Sequence, residues 1–216
     1  MTQLELGYTL FSDDDDGRTY THTYPELLVR QGIFRDWFEL RIGYTAISEE
    51  TPIDSVTGSA DLYVGAKIGL TPQSQWRPEM SLIPQLFVPS GSSEFSSDSV
   101  LPGLNWIYAW EVTDRLGFGG STQFNRLVDG ETSALYTQWA QSLVSGVSLT
   151  EDLAAYAEWF AFFPDDAETD PVEHYLNSGF ARRFGNNVQW DIRAGVGLND
   201  ASQDFFVGTG LSLRFL

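Results

Sequence analysis

The chain has 216 residues, and its 30 acidic and 12 basic residues give a formal net charge of −18. This charge argues against a nucleic-acid partner, because an acidic surface repels phosphate. The absence of Cys excludes disulfides and Cys-based metal sites. No apolar run reaches the roughly 18–20 residues that a transmembrane helix needs.

Apolar and polar residues alternate with period two along most of the chain, which is the pattern of β-strands. In 37–46, for example, Phe38, Leu40 and Ile42 lie on one face, and Glu39 and Arg41 lie on the other. The pattern predicts about twelve strands, each long enough for the roughly 9–11 residues of a tilted membrane strand. Their predicted spans are 2–11, 18–32, 37–47, 60–70, 77–89, 100–112, 115–128, 134–149, 153–163, 174–184, 188–198 and 205–215.

Two predicted strands leave the facing of their side chains open. In 134–149 the alternation slips around Trp139–Ser142, which predicts a β-bulge. In 174–184 the pattern does not assign Arg182 and Arg183 to faces.

The net charge is confined to connecting segments of one kind. Six polar segments hold 18 of the 30 acidic residues and no Lys or Arg, so the remaining chain has 12 of each charge and is neutral. These acidic segments are 12–17, 48–59, 90–99, 129–133, 164–173 and 199–204. They alternate with tighter connections at Ile33–Asp36, Thr71–Trp76, Thr113–Arg115, Thr150–Asp152 and Gly185–Asn187. In an up-and-down meander, one end therefore carries long acidic loops and the other carries short turns.

These features favour an all-β fold, a single transmembrane antiparallel up-and-down β-barrel of about twelve strands that forms one domain over 1–216. Long loops alternating with short turns are typical of outer-membrane barrels, and we expect both termini at the short-turn end. The alternative is a soluble ligand-binding β-barrel with its apolar face inward. Against it, the polar faces repeat Gly, as at Gly65 and Gly69, where soluble sheets usually carry Lys, Glu and Thr.

Aromatic residues near strand ends predict the two interfacial belts of a membrane barrel. The candidates for this aromatic girdle are Trp106, Tyr108, Trp110, Trp159, Trp190, Phe205 and Phe215. The closing segment Ser212–Leu216 resembles the recognition strand of outer-membrane barrels, which implies the barrel-assembly machinery as a partner during insertion. We expect a monomer in the lipid of a Gram-negative outer membrane. Met1 leads directly into a strand without a signal peptide, so we expect a mature or recloned form of an exported chain.

Five stretches of the chain carry a family resemblance. They are Pro25–Ile33, Trp37–Tyr44, Asp61–Gly69, Leu82–Gly91 and Gly208–Phe215. Together, over about residues 25 to 215, they resemble the family of outer-membrane transporters named for the meta-pathway of phenol degradation. The resemblance implies passage of small, often aromatic compounds. It implies nothing about the acidic segments.

The polar faces predict a lumen that carries both signs of charge. The candidate lumen-lining residues are Glu26, Arg30, Glu39, Arg41, Asp61, Lys67, Glu79, Glu111, Glu158, Asp191, Arg193 and Arg214. Antiparallel pairing predicts Arg30 opposite Glu39, Glu26 diagonal to Arg41, and Asp191 diagonal to Arg214. Such pairs form either a selective constriction or a salt-bridged interior that fixes the shape of the barrel.

The sequence predicts no enzyme, catalytic residue, cofactor or metal site. His174 and Ser178 are four strand residues apart, about 13 Å, which exceeds hydrogen-bond reach. The acidic segments Asp13–Asp16 and Asp165–Asp170 either bind Ca²⁺ through carboxylate oxygens or form a solvated surface, and their lack of EF-hand spacing favours the solvated surface. The first functional hypothesis is a channel or passive transporter for small, aromatic or amphipathic solutes. The alternatives are a closed structural or surface-interaction barrel and the soluble ligand-binding barrel.

Overall fold

The computed structural model of the protein describes residues 1–14, 17–34 and 37–215. Asp15 and Asp16 of the first acidic segment, Arg35 and Asp36 of the first predicted turn, and the terminal Leu216 lie outside the described residues. No helix in the described chain is long and apolar enough to cross a membrane.

The described residues form thirteen β-strands. Their bounds are β1 Thr2–Asp13, β2 Thr19–Gly32, β3 Phe38–Glu50, β4 Ser55–Ser59, β5 Leu62–Thr71, β6 Glu79–Val88, β7 Leu101–Glu111, β8 Leu116–Val128, β9 Leu135–Ser148, β10 Leu153–Asp165, β11 Glu173–Phe184, β12 Val188–Gly197 and β13 Phe205–Phe215.

The strands close into an antiparallel barrel. Consecutive strands pair along the chain, and β1 pairs with β13 from Thr2 opposite Phe215 to Ser12 opposite Phe205. Both β4 and β5 pair with β3, β4 along Ala46–Glu50 and β5 along Phe38–Gly43, so they share one position in the wall. Over the described residues the fold is therefore a closed barrel of twelve strand positions, and the predicted fold class is confirmed.

The predicted acidic loop 48–59 is wrong in extent. β3 continues to Glu50 and β4 begins at Ser55, which leaves a connection at 51–54. Ser48 and Thr57 face each other across this extension, and their hydroxyl oxygens are 3.0 Å apart. Their polarity is typical of a loop, but these residues form a polar strand pair at the rim.

The two ends of the barrel differ as the loop pattern predicts. Thr2 pairs with both Phe215 and Gln31, so both described chain ends lie at the short-turn end. Two of the short turns are stabilised by the same pattern of hydrogen bonds. The hydroxyl of Thr113 accepts hydrogen bonds from the N–H groups of Arg115 and Leu116, and Thr150 does the same for the two residues Asp152 and Leu153. A Thr side chain that accepts local N–H groups stabilises a tight turn.

Large apolar side chains cover the outside of the barrel. Ile42, Leu143 and Phe180 are each 51% exposed, although they lie in regular strands. Contiguous exposed apolar surface on this scale is typical of a protein that faces lipid.

The predicted bulge in 134–149 is wrong. β9 pairs with β8 and β10 without a register shift from Leu135 to Ser148. Gln141 caused the apparent slip, because it is a polar residue on the outer face. Its amide oxygen accepts from the Thr122 hydroxyl at 2.8 Å, and its amide nitrogen donates to the Tyr108 hydroxyl at 2.7 Å.

The register also assigns the two arginines of β11. Arg182 lies between Leu153 and Trp190, which places it on the outer face. Arg183 pairs with Gln189 on the inner face. Both lie near the short-turn end.

Candidate functional site

A ladder of ion pairs crosses the inner face of β1, β2 and β3. Arg30 donates to both carboxylate oxygens of Glu39, at 2.9 and 3.0 Å, and to Glu5 at 2.7 Å. Arg41 donates to the same Glu39 at 2.8 Å. Two acids and two bases thus neutralise one another, and the bidentate Arg30–Glu39 contact fixes the geometry of the ladder. Lys67 of β5 lies directly opposite Glu39.

The ladder forms with a different register from the predicted one. Arg30 lies opposite Arg41 and not opposite Glu39, and Glu26 lies opposite Thr45, away from Arg41. The predicted turn at Ile33–Asp36 is displaced by one residue, because the N–H of Ile33 donates to the carbonyl of Phe38 and so pairs these two residues. This shifts the pairing by two residues, and the Arg30–Glu39 contact becomes a diagonal one.

A second charged group lies further from the short-turn end. The guanidinium of Arg193 donates to the Thr9 hydroxyl at 2.9 Å and lies 4.0 Å from the Glu26 carboxylate. Asp191 is on the same face of β12, opposite Gly210. A side chain at Gly210 would approach the Asp191 carboxylate to within 3 Å, so glycine there leaves room for it.

The predicted diagonal between Asp191 and Arg214 is wrong. β12 and β13 pair Asp191 with Gly210 and Gln189 with Ser212, a two-residue offset from the expected register. The loop sets this offset, because the N–H of Gly197 donates to the carbonyl of Asp204. Arg214 instead lies opposite Gln3 at the short-turn end.

The remaining candidates on strands are spread over other parts of the wall. Glu158 accepts a hydrogen bond from Asn177 at 3.0 Å across β10 and β11. Glu79 and Glu111 are near the short-turn end, where Glu79 pairs with Ala109 and Glu111 pairs with Gly117. The structure therefore does not bring the candidate residues into one cluster.

Asp61 anchors the long connection between β6 and β7. Its carboxylate accepts hydrogen bonds from the N–H groups of Ser90, Gly91 and Ser97 and from the hydroxyls of Ser96 and Ser97. The carboxylate is thus committed to the segment 89–100, which we call the inner loop.

The inner loop lines a cavity inside the barrel. This central cavity has a volume of about 630 Å³, and Phe95 and Ser97 of the inner loop form part of its surface. One side carries Glu5, Glu26, Asp191 and Arg193, and the other carries mainly apolar and aromatic side chains, namely Tyr63, Phe87, Phe95, Leu101 and Leu127. The space therefore offers a charged wall opposite an apolar wall.

The candidate girdle residues belong to the outer face of their strands. Trp110, Trp190 and Phe215 lie near the short-turn end, and Phe205 begins β13 at the long-loop end. Trp106 and Tyr108 precede Trp110 on β7, and successive rings are in contact, with centroids 5.3 and 5.9 Å apart. Trp159 stacks on His174, with centroids 5.9 Å apart, near the long-loop end of β11.

Sequence reasoning missed several inward side chains. Glu5 and Thr9 lie on the inner face of β1, and their alternation with Leu4, Leu6 and Leu10 was a usable signal. The aromatic residues Phe11, Phe160, Phe162, Tyr175 and Phe206 also line the interior. Aromatic side chains on polar faces give no signal in the sequence, because apolar residues of a membrane barrel are expected to face lipid.

A buried carboxylate that sequence reasoning also missed ties two outer loops together. Asp129 is 1% exposed and accepts from the N–H groups of Thr132 and Thr169 at 2.9 and 3.0 Å. The hydroxyls of both threonines donate to it as well, at 3.0 Å. These backbone N–H groups hold the pKa of Asp129 well below its ordinary value. Asp129 therefore clamps loop 129–134 to loop 166–172.

Solved structures of outer-membrane channels share this fold. An outer-membrane channel from Pseudomonas putida F1 superposes with a TM-score of 0.80 at 12% identity, over 99% of this chain and 95% of that one. The porin KdgM superposes with a TM-score of 0.61 at 13% identity, over 99% of both chains. CymD, a monoaromatic hydrocarbon channel, superposes with a TM-score of 0.52 at 9% identity, over 99% of this chain and 88% of that one. Together with the apolar outer surface, this likeness gives the protein the fold of a lipid-facing β-barrel of the outer-membrane type.

No curated protein sequence matches the chain significantly. A family model does match it, over residues 2–215. The chain thus belongs to the family described as "Putative MetA-pathway of phenol degradation".

Proposed function

We propose that the protein is a passive channel of the outer membrane for small amphipathic solutes, aromatic ones among them. The observation that carries the proposal is the central cavity of about 630 Å³, with charged and apolar walls facing each other. A solute with an apolar body and a polar group finds a partner for each part in such a space. Transport is by diffusion down the concentration gradient of the solute.

In this proposal the candidate lumen-lining residues act in two groups. The ladder of Glu5, Arg30, Glu39 and Arg41 narrows the path, because its side chains are fixed by mutual ion pairs. Glu26, Asp191 and Arg193 offer charge to the passing solute. The whole chain acts as a single domain and a monomer, in contact with outer-membrane lipid and inserted by the barrel-assembly machinery.

The acidic loops add a charge preference at the mouth. They concentrate cations and disfavour anions, since clustered charges of one sign focus counterions. This preference weakens with salt, because charges in water are screened over about 8–10 Å at physiological ionic strength.

The choice of aromatic solutes is supported by two names. The family description refers to phenol degradation, and CymD is a monoaromatic hydrocarbon channel. Tyr63, Phe87 and Phe95 in the central cavity supply surfaces on which an aromatic ring can pack.

A closed barrel without transport is the second candidate. It is favoured by the inner loop, whose contacts with Asp61 hold Phe95 inside the barrel. In that case the function resides in the outer loops.

Liposome swelling tests the channel against the closed barrel. Purified protein in liposomes is exposed to neutral amphipathic solutes of increasing size, and we expect swelling whose rate falls with solute size and needs no energy source. Swelling no faster than that of empty liposomes, for every solute, would favour the closed barrel.

A further inference from the structure

The part of the lumen near the long-loop end contains a pocket distinct from the central cavity. It has a volume of about 260 Å³ and lies toward the long-loop end, where β1, β10, β11 and β13 approach the outer loops. Its walls carry the aromatic rings of Phe11, Phe160, Phe162, Tyr175 and Phe206. We call it the aromatic pocket.

The rings of the aromatic pocket hold one another in place. Phe160 and Tyr175 stack almost in parallel, with centroids 4.8 Å apart at 16°. The ring centroid of Phe206 lies 5.6 Å from that of Phe11 and 6.1 Å from that of Phe160. A side chain at Gly195 would overlap the Phe206 ring, so glycine at this position is what lets the ring lie against the wall. The pocket is therefore preformed.

The polar groups of the pocket include an acceptor that lacks a donor. Asn177 is 4% exposed, and its amide nitrogen donates to Glu158 at 3.0 Å, which fixes the orientation of the amide. Within the described part of the chain, no group donates to its amide oxygen. A buried acceptor is normally hydrogen-bonded, so this oxygen calls for a donor from a ligand.

The charges of the pocket favour a positively charged ligand. Glu158 and Glu173 line it with carboxylates, against one guanidinium, that of Arg193. The guanidinium of Arg193 donates to the Thr9 hydroxyl and lies beside Glu26. The Cζ atom of Arg193 is 5.9 Å from the centroid of the Phe206 ring. Aromatic faces attract ammonium groups, and the acidic mouth above concentrates cations.

We propose that the aromatic pocket binds a small organic ammonium ion with an apolar or aromatic body. The ammonium group donates to Asn177 and lies near the Glu158 carboxylate, while the body packs among Phe160, Tyr175 and Phe206. This inference rests on the proposed channel function and deepens it, because it adds a saturable binding step to the path.

Calorimetric titration of the purified full chain in detergent tests the proposal with three probes that share one ring. We expect benzylammonium to bind saturably, benzyl alcohol to bind about tenfold more weakly because its hydrogen bond is not charge-assisted, and benzoate not to bind. Equal binding of all three, tighter binding of benzoate, or no saturable binding of benzylammonium overturns the proposal.

Variants separate the contributions of charge, acceptor and rings. Asn177→Leu and Phe160→Leu should each weaken benzylammonium binding by about tenfold or more. Glu158→Gln keeps an oxygen for the Asn177 amide and removes the charge, so it should weaken benzylammonium binding and leave benzyl alcohol binding unchanged. Asn125→Leu and Phe180→Leu are matched controls, because Asn125 accepts a hydrogen bond from Gln85 on another part of the inner wall and Phe180 lies on the lipid-facing outside of the barrel. Both variants should bind the probe like the unmodified protein.

The folded state of each variant is checked by the heat-dependent mobility of the barrel in gel electrophoresis. If Asn177→Leu fails to fold, Glu158→Gln and Phe160→Leu still test whether the aromatic pocket binds benzylammonium. Solute flux without benzylammonium binding overturns this inference and leaves the channel proposal standing. Benzylammonium binding without solute flux overturns the channel proposal and leaves the binding site standing.

Discussion

Ser97 donates two hydrogen bonds to Asp61, one from its backbone N–H at 3.0 Å and one from its hydroxyl at 2.7 Å. Asp61 lies between β4 and β5, where the strand that pairs with β3 is interrupted. The interruption frees a carboxylate from the strand ladder and lets it hold the inner loop, including Phe95, inside the barrel. A local irregularity in one wall thus holds the inner loop inside the barrel.

Releasing the inner loop should open the path. Asp61→Asn replaces one acceptor oxygen by a donor, which faces either the two donors of Ser97 or those of Ser90, Gly91 and Ser96. The loop should therefore detach, and single-channel conductance should rise. Asp98→Asn is the matched control, because it makes the same change on the exposed side of the same loop. Unchanged conductance in Asp61→Asn, or an equal rise in both variants, would contradict this role.

Removing the shared carboxylate of the ladder should change ion selectivity. Glu39→Gln leaves Arg30 and Arg41 without their common acid and adds one positive charge to the lumen. We expect the anion-to-cation permeability ratio to rise at low and at high salt, because charges inside the barrel are poorly screened. Reversal potentials in salt gradients measure the ratio.

The control for this measurement is Glu94→Gln, the same chemical change on an exposed residue of the inner loop. It should alter selectivity at low salt only. If the two variants depend on salt in the same way, the ladder does not lie in the conduction path.

The loop clamp at Asp129 should respond to acid in a defined direction. Because the pKa of Asp129 is lowered in the folded protein, its carboxylate stabilises the loops above the ordinary Asp pKa of about 3.9. This stabilisation is lost as the pH falls through the lowered value. Amide exchange at Thr132 and Thr169, corrected for intrinsic rates, should therefore stay slow from pH 7 to about pH 4 and accelerate only in stronger acid.

Asp129→Asn serves as the reference for that experiment. It should exchange faster at neutral pH and lose the acid-dependent step. Loss of protection already between pH 5 and 6 in the unmodified protein would show that another group holds the loops.

The inside and outside of the barrel should tolerate a charge differently. Ile42→Arg places a charge on the lipid face and should cost about 2–4 kcal/mol of folding free energy near mid-membrane. Thr45→Arg, on the inner face opposite Glu26, should cost far less. Urea titration into lipid vesicles measures both, and equal costs would remove the basis for the facing of β3.

The alternation of residues such as Leu40 and Arg41 was enough to predict the strands and the closed barrel. It was not enough to predict register, since displacing the β2–β3 turn by one residue moves the partner of Arg30 from Glu39 to Arg41. The contact of Asp61 with Ser97 joins residues 36 positions apart, and no local pattern encodes it. Gln141 shows a third limit, because a polar residue satisfied on the outer face looks the same in sequence as a shift of the strand.

The central claim is that solutes cross the barrel, and electrical recording in planar lipid bilayers tests it most directly. On adding the purified protein, we predict stepwise current increments of uniform size, with larger increments for Asp61→Asn. Absence of increments from both proteins, although each is folded and inserted, would contradict the claim and leave a closed barrel.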